Sequence, residues 1–278
     1  MSRYIDTHQH FWNLAEVDYP WLTPESGSIY RTFTPEELEP QLKAAGIAQT
    51  VLVQSANSYA DTDSMLRLAD RYEWIGAVIG WVPLWEPEEA ARALEGYERH
   101  PRFRGVRHLI HNEPDPDWVI QDRVIEGLRL LEAHHLIFEV VAVFPNHLKH
   151  VPLLAEHLPQ LQLVIDHLAK PPIREKLWEP WASQLAAAAS YPNVYAKISG
   201  LNTAAGPQWS AADLQPYIDF AIQCFGPERL MFGSDWPVCT LAGDYAQVWQ
   251  ETRRALARYS QAEQEAILST TALRLYRL

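Results

Sequence analysis

The residues best suited to chemistry are His8 and His10, which stand two apart at the end of the run IDTHQHFW, residues 5–12. In an extended strand alternate side chains share a face, with Cα atoms roughly 6.6 Å apart. Both imidazoles can therefore address one metal ion or one substrate oxygen, while Gln9 points away. Two later stretches end in the same manner. Residues 163–171, LVIDHLAKP, close an apolar run with Asp166, His167 and Lys170. Residues 229–238, RLMFGSDWPV, close another with Asp235, where Gly233 and Pro237 set a tight turn that aims the carboxylate inward. Each pattern alone fits a partnered core histidine, a surface pair or a helix cap as well as it fits catalysis. Together they supply three imidazoles and a carboxylate, provided that a fold brings them to one place.

The elements that must do so alternate along the whole chain. Apolar, β-branched segments predict strands near 3–10, 49–55, 74–83, 103–110, 136–143, 161–168, 193–199 and 229–234. Their near-continuous apolar character is what a parallel sheet buried on both faces requires. Helical patterns fall between them, over 34–46, 61–72, 87–99, 117–135, 147–157, 177–190, 213–225 and 244–258, with a last helix over 261–273. Thr34-Pro35-Glu36-Glu37 offers an N-cap, a proline in the first turn and a capping-box glutamate. Asp61, Glu86 and Asp213 are further candidate caps, and Pro40 fits badly inside the first helix. Eight strand–helix units without a composition break predict an α/β protein, a single-domain (β/α)₈ TIM barrel over 1–278. An open doubly wound sheet is the rival, but no GxGxxG follows an early strand. A barrel places its site at the C-terminal ends of its strands, so strands one, six and eight converge on one mouth.

Composition sets limits on partners. The 278 residues carry a formal net charge of −12, which argues against nucleic acid. The N-terminal stretch MSRYIDTHQH has no signal-peptide core, and no run approaches 18 uninterrupted apolar residues, so neither export nor a membrane is expected. Cys224 and Cys239 form no CxxC and support no disulfide framework. The expected location is the cytoplasm, with monomer and homo-oligomer both open.

In this order, IDTHQHFW, GVRH (105–108), LVIDHLAKP, NVYAKISGL (193–201) and ERLMFGSDWPV (228–238) resemble the amidohydrolase-related lactonases. The branch acts on sugar-acid lactones such as L-fuconolactone and L-rhamnonolactone, and includes lactonases for pyrone dicarboxylate and sulfomuconolactone. The resemblance runs from about residue 3 to the C-terminus and implies a barrel that hydrolyses a cyclic ester. It carries His8 and His10 onto the strand-one HxH, His167 onto the strand-six histidine and Asp235 onto the strand-eight aspartate. These four are expected to be both the catalytic residues and the metal ligands. Two-metal members of the superfamily add a Lys or Glu on strand four and a His on strand five. Here strand four offers Arg107-His108 and strand five, LIFEVVAV, has no His. One divalent ion, zinc, or none is therefore expected, with no organic cofactor.

A lactone needs an activated water and a polarised carbonyl. Asp235 is the expected general base. His8, His10 and His167 would hold a zinc-like ion or donate hydrogen bonds to the oxyanion directly. Arg107 and His108 are candidate substrate ligands, and Lys170 either orients substrate or pairs with Asp166. Glu139, inside strand five, reads as a buried structural carboxylate. His134, His135, His147, His150 and His157 fall on or beside outer helices and are expected to be solvated. Trp12, Trp21, Trp81 and Trp236 lie just beyond strand ends, where flat walls suit sugar rings, and residues 11–33 form a candidate lid. The expected substrate is a small, neutral, hydroxylated lactone. The alternatives are a metal-dependent decarboxylase, a pyrone dicarboxylate or muconolactone type of lactonase, and a non-catalytic carbohydrate-binding barrel.

Overall fold

Eight strands, each parallel to its neighbours, succeed one another in sequence order around a barrel in the computed structural model, which describes residues 4–278. They are β1 (Tyr4–Gln9), β2 (Ile47–Val53), β3 (Ile75–Gly80), β4 (Phe103–His108), β5 (Ile137–Val140), β6 (Gln162–Ile165), β7 (Val194–Ile198) and β8 (Leu230–Phe232). Ladder pairing is continuous from β1 to β8. The barrel closes more loosely, where Gln9 bridges to Trp236. Asp235 N there donates to His8 O and His10 N donates to Trp236 O, both at 2.8 Å. The expected (β/α)₈ TIM barrel is the observed fold.

The bore is filled by inward side chains, among them Ile5, Val51, Val53, Ile79, Ile137, Val164 and Met231, and is plugged from below by Ala272 and Tyr276. A larger apolar cluster binds the outer faces of the strands to the surrounding helices. This two-shell core explains why both faces of each strand are apolar.

The principal helices are α1 (Pro35–Ala45), α2 (Tyr59–Arg71), α3 (Pro87–Tyr97), α4 (Asp122–Ala133), α5 (Val151–His157), α6 (Trp181–Ala189), α7 (Leu201–Ala205), α8 (Ala211–Phe225) and α9 (Tyr245–Leu256). Thr34 N donates to Glu37 Oε1 at 3.2 Å, the reciprocal arm of the expected capping box, and α1 continues through Pro40. Asp61 is not a cap. Ser58 caps α2 by accepting from Asp61 N, and the Asp61 carboxylate instead accepts from Ser55 N and Ala56 N at 2.7 and 3.0 Å. The last expected helix is broken into α10 (Gln261–Glu265), a π turn over Ala266–Thr270 and α11 (Thr271–Tyr276). The short α7 has no counterpart in the expected elements.

Every strand ends before the limit expected for it, and residue 3 of the first lies outside the described residues. After β6 and β8 the cause lies just beyond the ladder, where the chain leaves extended geometry to present the site. His167, Leu168, Ala169 and Lys170 all have positive φ, at 55°, 49°, 62° and 51°, and Asp235 has φ 59°. Left-handed backbone is costly for residues with a Cβ, and here it includes His167, Lys170 and Asp235, three of the residues singled out for chemistry.

Candidate active site

His8 and His10, on and just beyond β1, both turn toward the barrel axis, as the period of two requires. Gln9 points outward and donates to Thr50 Oγ1 at 3.1 Å. His10 Nδ1 lies 2.7 Å from Val53 O, and a carbonyl only accepts, so Nδ1 carries the proton and Nε2 presents a lone pair to the mouth. His8 Nε2 and His10 Nε2 are 3.1 Å apart. Asp235 Oδ1 lies 3.5 Å from His10 Nε2, 3.8 Å from His8 Nε2 and 4.0 Å from His167 Nε2. The structure thus brings the four residues from strands one, six and eight together.

Two glycines make this convergence possible. A Cβ on Gly233 would stand 2.6 Å from His8 Cβ, and Gly200, at φ 60°, would place one 2.8 Å from His167 Nδ1. His167 Nδ1 is held by Ser199 Oγ at 2.8 Å.

Burial dominates the electrostatics. It holds the His8 and His10 rings below their ordinary pKa and the His167 ring at about 4, so all three are neutral at pH 7. Burial pushes the Asp235 carboxyl up, but His167, cationic in the acid range where the carboxyl titrates, together with His10 and His8 more than offsets this, and the net shift is downward. An ionised carboxylate among neutral imidazoles is ready to bind a cation or to orient a water.

A ring of buried charge lies behind these groups. Arg107 donates from Nη1 to Asp166 Oδ2 at 2.9 Å and from Nη2 to Gln54 O. Lys197 Nζ donates to Glu139 Oε2 at 2.5 Å, and Tyr276 OH donates to Glu139 Oε1 at 2.6 Å. Glu139 is fully buried within this lattice. Asp166 pairs with Arg107 and, at 3.4 Å, with Lys197; no ion pair between Asp166 and Lys170 occurs among the described residues.

A cavity of about 160 Å³ opens above, lined by His10, Trp21, Ser55, Arg107, Leu109, His111, Val141, His167, Lys170, Asp235 and Val238. His8 lies one layer deeper. His108 is also outside the lining: Trp81 Nε1 donates to its Nδ1 at 3.0 Å, Glu113 Oε1 takes its Nε2 at 2.6 Å, and it stacks on Trp118. Trp12, Trp81 and Trp236 are buried in the aromatic packing around the mouth and do not line the cavity either. Trp21 supplies the aromatic wall, with its Nε1 donating to Ser55 O at 2.6 Å. Segment 11–33 is tied within itself by Trp12 Nε1 to Arg31 O and to the barrel by Tyr19 OH to Asp61, and of its residues Trp21 lines the cavity.

Sequence reasoning missed Ser55, His111 and Lys197. Lys197 had a signal, a lone charge at a buried position of an apolar strand. His111 had one also, three residues beyond the end of strand four. His147 and His150 are not solvated: both are buried, with His150 Nε2 2.9 Å from Asp117. The short 3-10 turn Leu148–His150 that precedes α5 turns them inward.

A family model for amidohydrolases matches residues 5–278. The chain belongs to the amidohydrolase family. It is 41% identical over 246 residues to the L-fucono-1,5-lactonase of Burkholderia ambifaria, covering 88% of this chain and 84% of that one. It is 36% identical over 288 residues to the L-fucono-1,5-lactonase of Burkholderia multivorans, covering 99% and 96%. The crystal structure of a zinc-bound amidohydrolase from Burkholderia multivorans superposes with a TM-score of 0.91 at 35% identity, over 99% of each chain.

The donor set of this amidohydrolase fits a metal. His8, His10 and Asp235 place ligand atoms within 4.8 Å of one another, as do His8, Asp166 and His167. Two nitrogens bound to one zinc at tetrahedral angles lie about 3.3 Å apart, close to the His8–His10 spacing. No helix among the described residues is long and apolar enough to cross a membrane.

Proposed function

We propose that this amidohydrolase is a lactonase that opens L-fucono-1,5-lactone, or a closely similar lactone of a sugar acid, by attack of water. The observation that carries the reading is one ionised carboxylate, Asp235, facing three neutral imidazoles at the floor of a small cavity. The choice of substrate rests on the two lactonase relatives.

The lactone carbonyl is placed over the floor of the cavity with its ring between Trp21 and Lys170. Asp235 takes a proton from water as the water oxygen bonds to the carbonyl carbon. The charge that develops on the carbonyl oxygen is met by the Lys170 ammonium and by a hydrogen bond from His167 in its Nε2–H form. The tetrahedral intermediate collapses with cleavage of the bond to the ring oxygen, and Asp235 returns its proton to that oxygen. The product is the open hydroxy acid, whose carboxyl proton passes to solvent. His167, fixed by Ser199, and His10, fixed by Val53 O, keep the reacting carbon aligned with the water. Zinc bound by His8, His10 and Asp235, with His167 alongside, would polarise the carbonyl and acidify the water.

We infer a cytoplasmic location, on the ground that both cysteines are free thiols, as a reducing compartment would leave them. The test of function is a panel of aldonolactones assayed with and without chelator. L-Fucono-1,5-lactone is expected to be among the best substrates. A higher kcat/KM for pyrone dicarboxylate than for every aldonolactone would overturn the assignment.

A further inference from the structure

The ring of His8 has two opposed partners at one nitrogen. Its Nδ1 lies 3.1 Å from Lys197 Nζ and 3.2 Å from Asp166 Oδ1. An ammonium only donates and an ionised carboxylate only accepts, so both cannot be served at once. If Lys197 is served, Nδ1 is a lone pair and the proton of the neutral ring sits on Nε2. If Asp166 is served, Nδ1 carries the proton and Nε2 is the lone pair that a metal requires.

Two independent features select the first state in the cation-free site. Asp166 Oδ1 is a buried atom whose approaches to His8 Nδ1 and, at 3.4 Å, to Lys197 Nζ both lack hydrogen-bond geometry. On the other side of the ring, His10 Nε2 must accept, because His10 Nδ1 donates to Val53 O. The 3.1 Å contact between the two Nε2 atoms therefore needs its hydrogen from His8. Arg107 Nη1, which gives one of its two hydrogens to Asp166 Oδ2 at 2.9 Å, stands 3.3 Å from the same Nε2 and is the donor that Nε2 meets in the other state. A consistent chain results: Lys197 donates to His8 Nδ1, His8 Nε2 to His10 Nε2, and His10 Nδ1 to Val53 O.

We propose that Lys197 is a positioning residue that competes with Asp166 for His8 Nδ1, and that this competition decides whether His8 serves as a hydrogen-bond donor or as a metal ligand. Binding of a cation moves the ring proton from Nε2 to Nδ1, where Asp166 Oδ1 becomes its acceptor; the ring stays neutral throughout. Lys197 keeps its bond to Glu139 in both states. This also gives a reason for a fully buried lysine in the bore of the barrel, where an ion-pair lattice brings little net stability. The proposal rests on reading His8 as a potential metal ligand.

Nitrogen NMR of ¹⁵N-histidine-labelled protein, stripped of metal, reads the tautomer directly, with the His8 signal assigned by its loss in His8→Gln. The expected result is Nε2–H in the metal-free wild type; Nδ1–H there would overturn the proposal. The second readout is Zn²⁺ affinity by competition with a chromophoric chelator. Glu139→Gln with Lys197→Met removes the donor and preserves charge balance, and is expected to bind Zn²⁺ about tenfold or more tighter. Asp166→Asn presents its carbonyl to Arg107 and its amide N–H to His8 Nδ1, and is expected to bind Zn²⁺ about tenfold or more weaker. A merely structural role for Lys197 moves both variants in the same direction or neither, and either outcome sinks the idea. Should the double variant not fold, the wild-type tautomer decides. Failure of the wild type to bind Zn²⁺ would refute the ligand reading without touching the tautomer measurement.

Discussion

Asp235→Asn separates the chemistry of the site from its architecture. The side chains are nearly isosteric, and asparagine tolerates left-handed backbone well, so the φ of 59° at this position is no obstacle. The substitution removes the charge and the ability to take a proton. General-base assistance is worth typically 10²–10⁴-fold, or about 2.7–5.4 kcal/mol of transition-state stabilisation. The three imidazoles facing Asp235 Oδ1 at 3.5, 3.8 and 4.0 Å are neutral, so replacing the carboxylate exchanges ion–dipole contacts for dipole–dipole ones. We expect a stability change of about 1 kcal/mol, which moves the melting temperature of a protein of this size by about 2–4 °C. The assay is proton release from L-fucono-1,5-lactone, read together with thermal melting and zinc content. The expected outcome is turnover slowed by roughly a hundredfold or more, with near-unchanged melting. If the carboxylate also binds zinc, metal content falls in parallel. A folded variant with turnover within about threefold of wild type would refute the assignment of Asp235 as base and move the search to the histidines.

Three further outcomes are expected from the same geometry. The two candidate metal clusters share His8, so elemental analysis should find at most one tightly bound divalent ion per chain, and two would contradict the geometry. Gly200→Ala drives a methyl to 2.8 Å from His167 Nδ1 and 3.0 Å from Asp235 Oδ2, and should lower kcat by about tenfold or more; retention of full activity would show that the loop yields freely. The His167 ring, held at about 4 against 6.5 when unperturbed, lets the unfolded chain bind a proton that the folded chain does not. Its stabilising contribution is therefore complete above about pH 6.5 and is lost as pH falls toward 4, by about 3 kcal/mol. The melting-temperature gap between wild type and His167→Gln in chelator should narrow over that interval, and a pH-independent gap would refute the shift.

Much of the fold was legible in the sequence because a barrel converts order along the chain into position around a ring. Near-continuous apolar strands marked the sheet, and the polar residues ending strands one, six and eight marked the mouth. The period of two was enough to set His8 and His10 inward and Gln9 outward. The point at which each strand stops could not be read. Left-handed geometry at His167–Lys170 is imposed by tertiary contacts such as Ser199 on His167, and no local propensity announces it. The aromatic residues misled for a related reason. Proximity to a strand end does not fix which way a ring turns, and Trp12, Trp81 and Trp236 turn into packing while Trp21, in segment 11–33, turns to the cavity. Lys197 and Glu139 needed each other to be interpretable, since a buried charge is explained only by its partner 58 positions away.

The partnering of charges also bears on which rings the cavity accepts. Arg107 faces the cavity, yet its Nη1 and Nη2 are taken by Asp166 and Gln54 O. Turning the guanidinium toward a substrate carboxylate would leave Asp166 with a buried charge short of its partner, a cost of several kcal/mol in such surroundings. Arg31 is held by Glu37 through two hydrogen bonds at 3.0 and 2.7 Å, and neither it nor Arg174 lines the cavity. Lys170 is then the one cation of the lining with no ion pair among the described residues. One free ammonium can meet a single developing negative charge, such as the oxyanion of ring opening or the carboxylate that succeeds it. A dicarboxylate would bring two charges before reaction begins, and one of them would stand unpaired beside ionised Asp235. The arrangement favours a ring that is neutral on entry and becomes anionic only as it opens, so Lys170 acts on the transition state and product more than on the bound lactone. Lys170→Met should therefore lower kcat more than it raises KM for a neutral lactone. The opposite split would show that the ammonium serves to bind substrate.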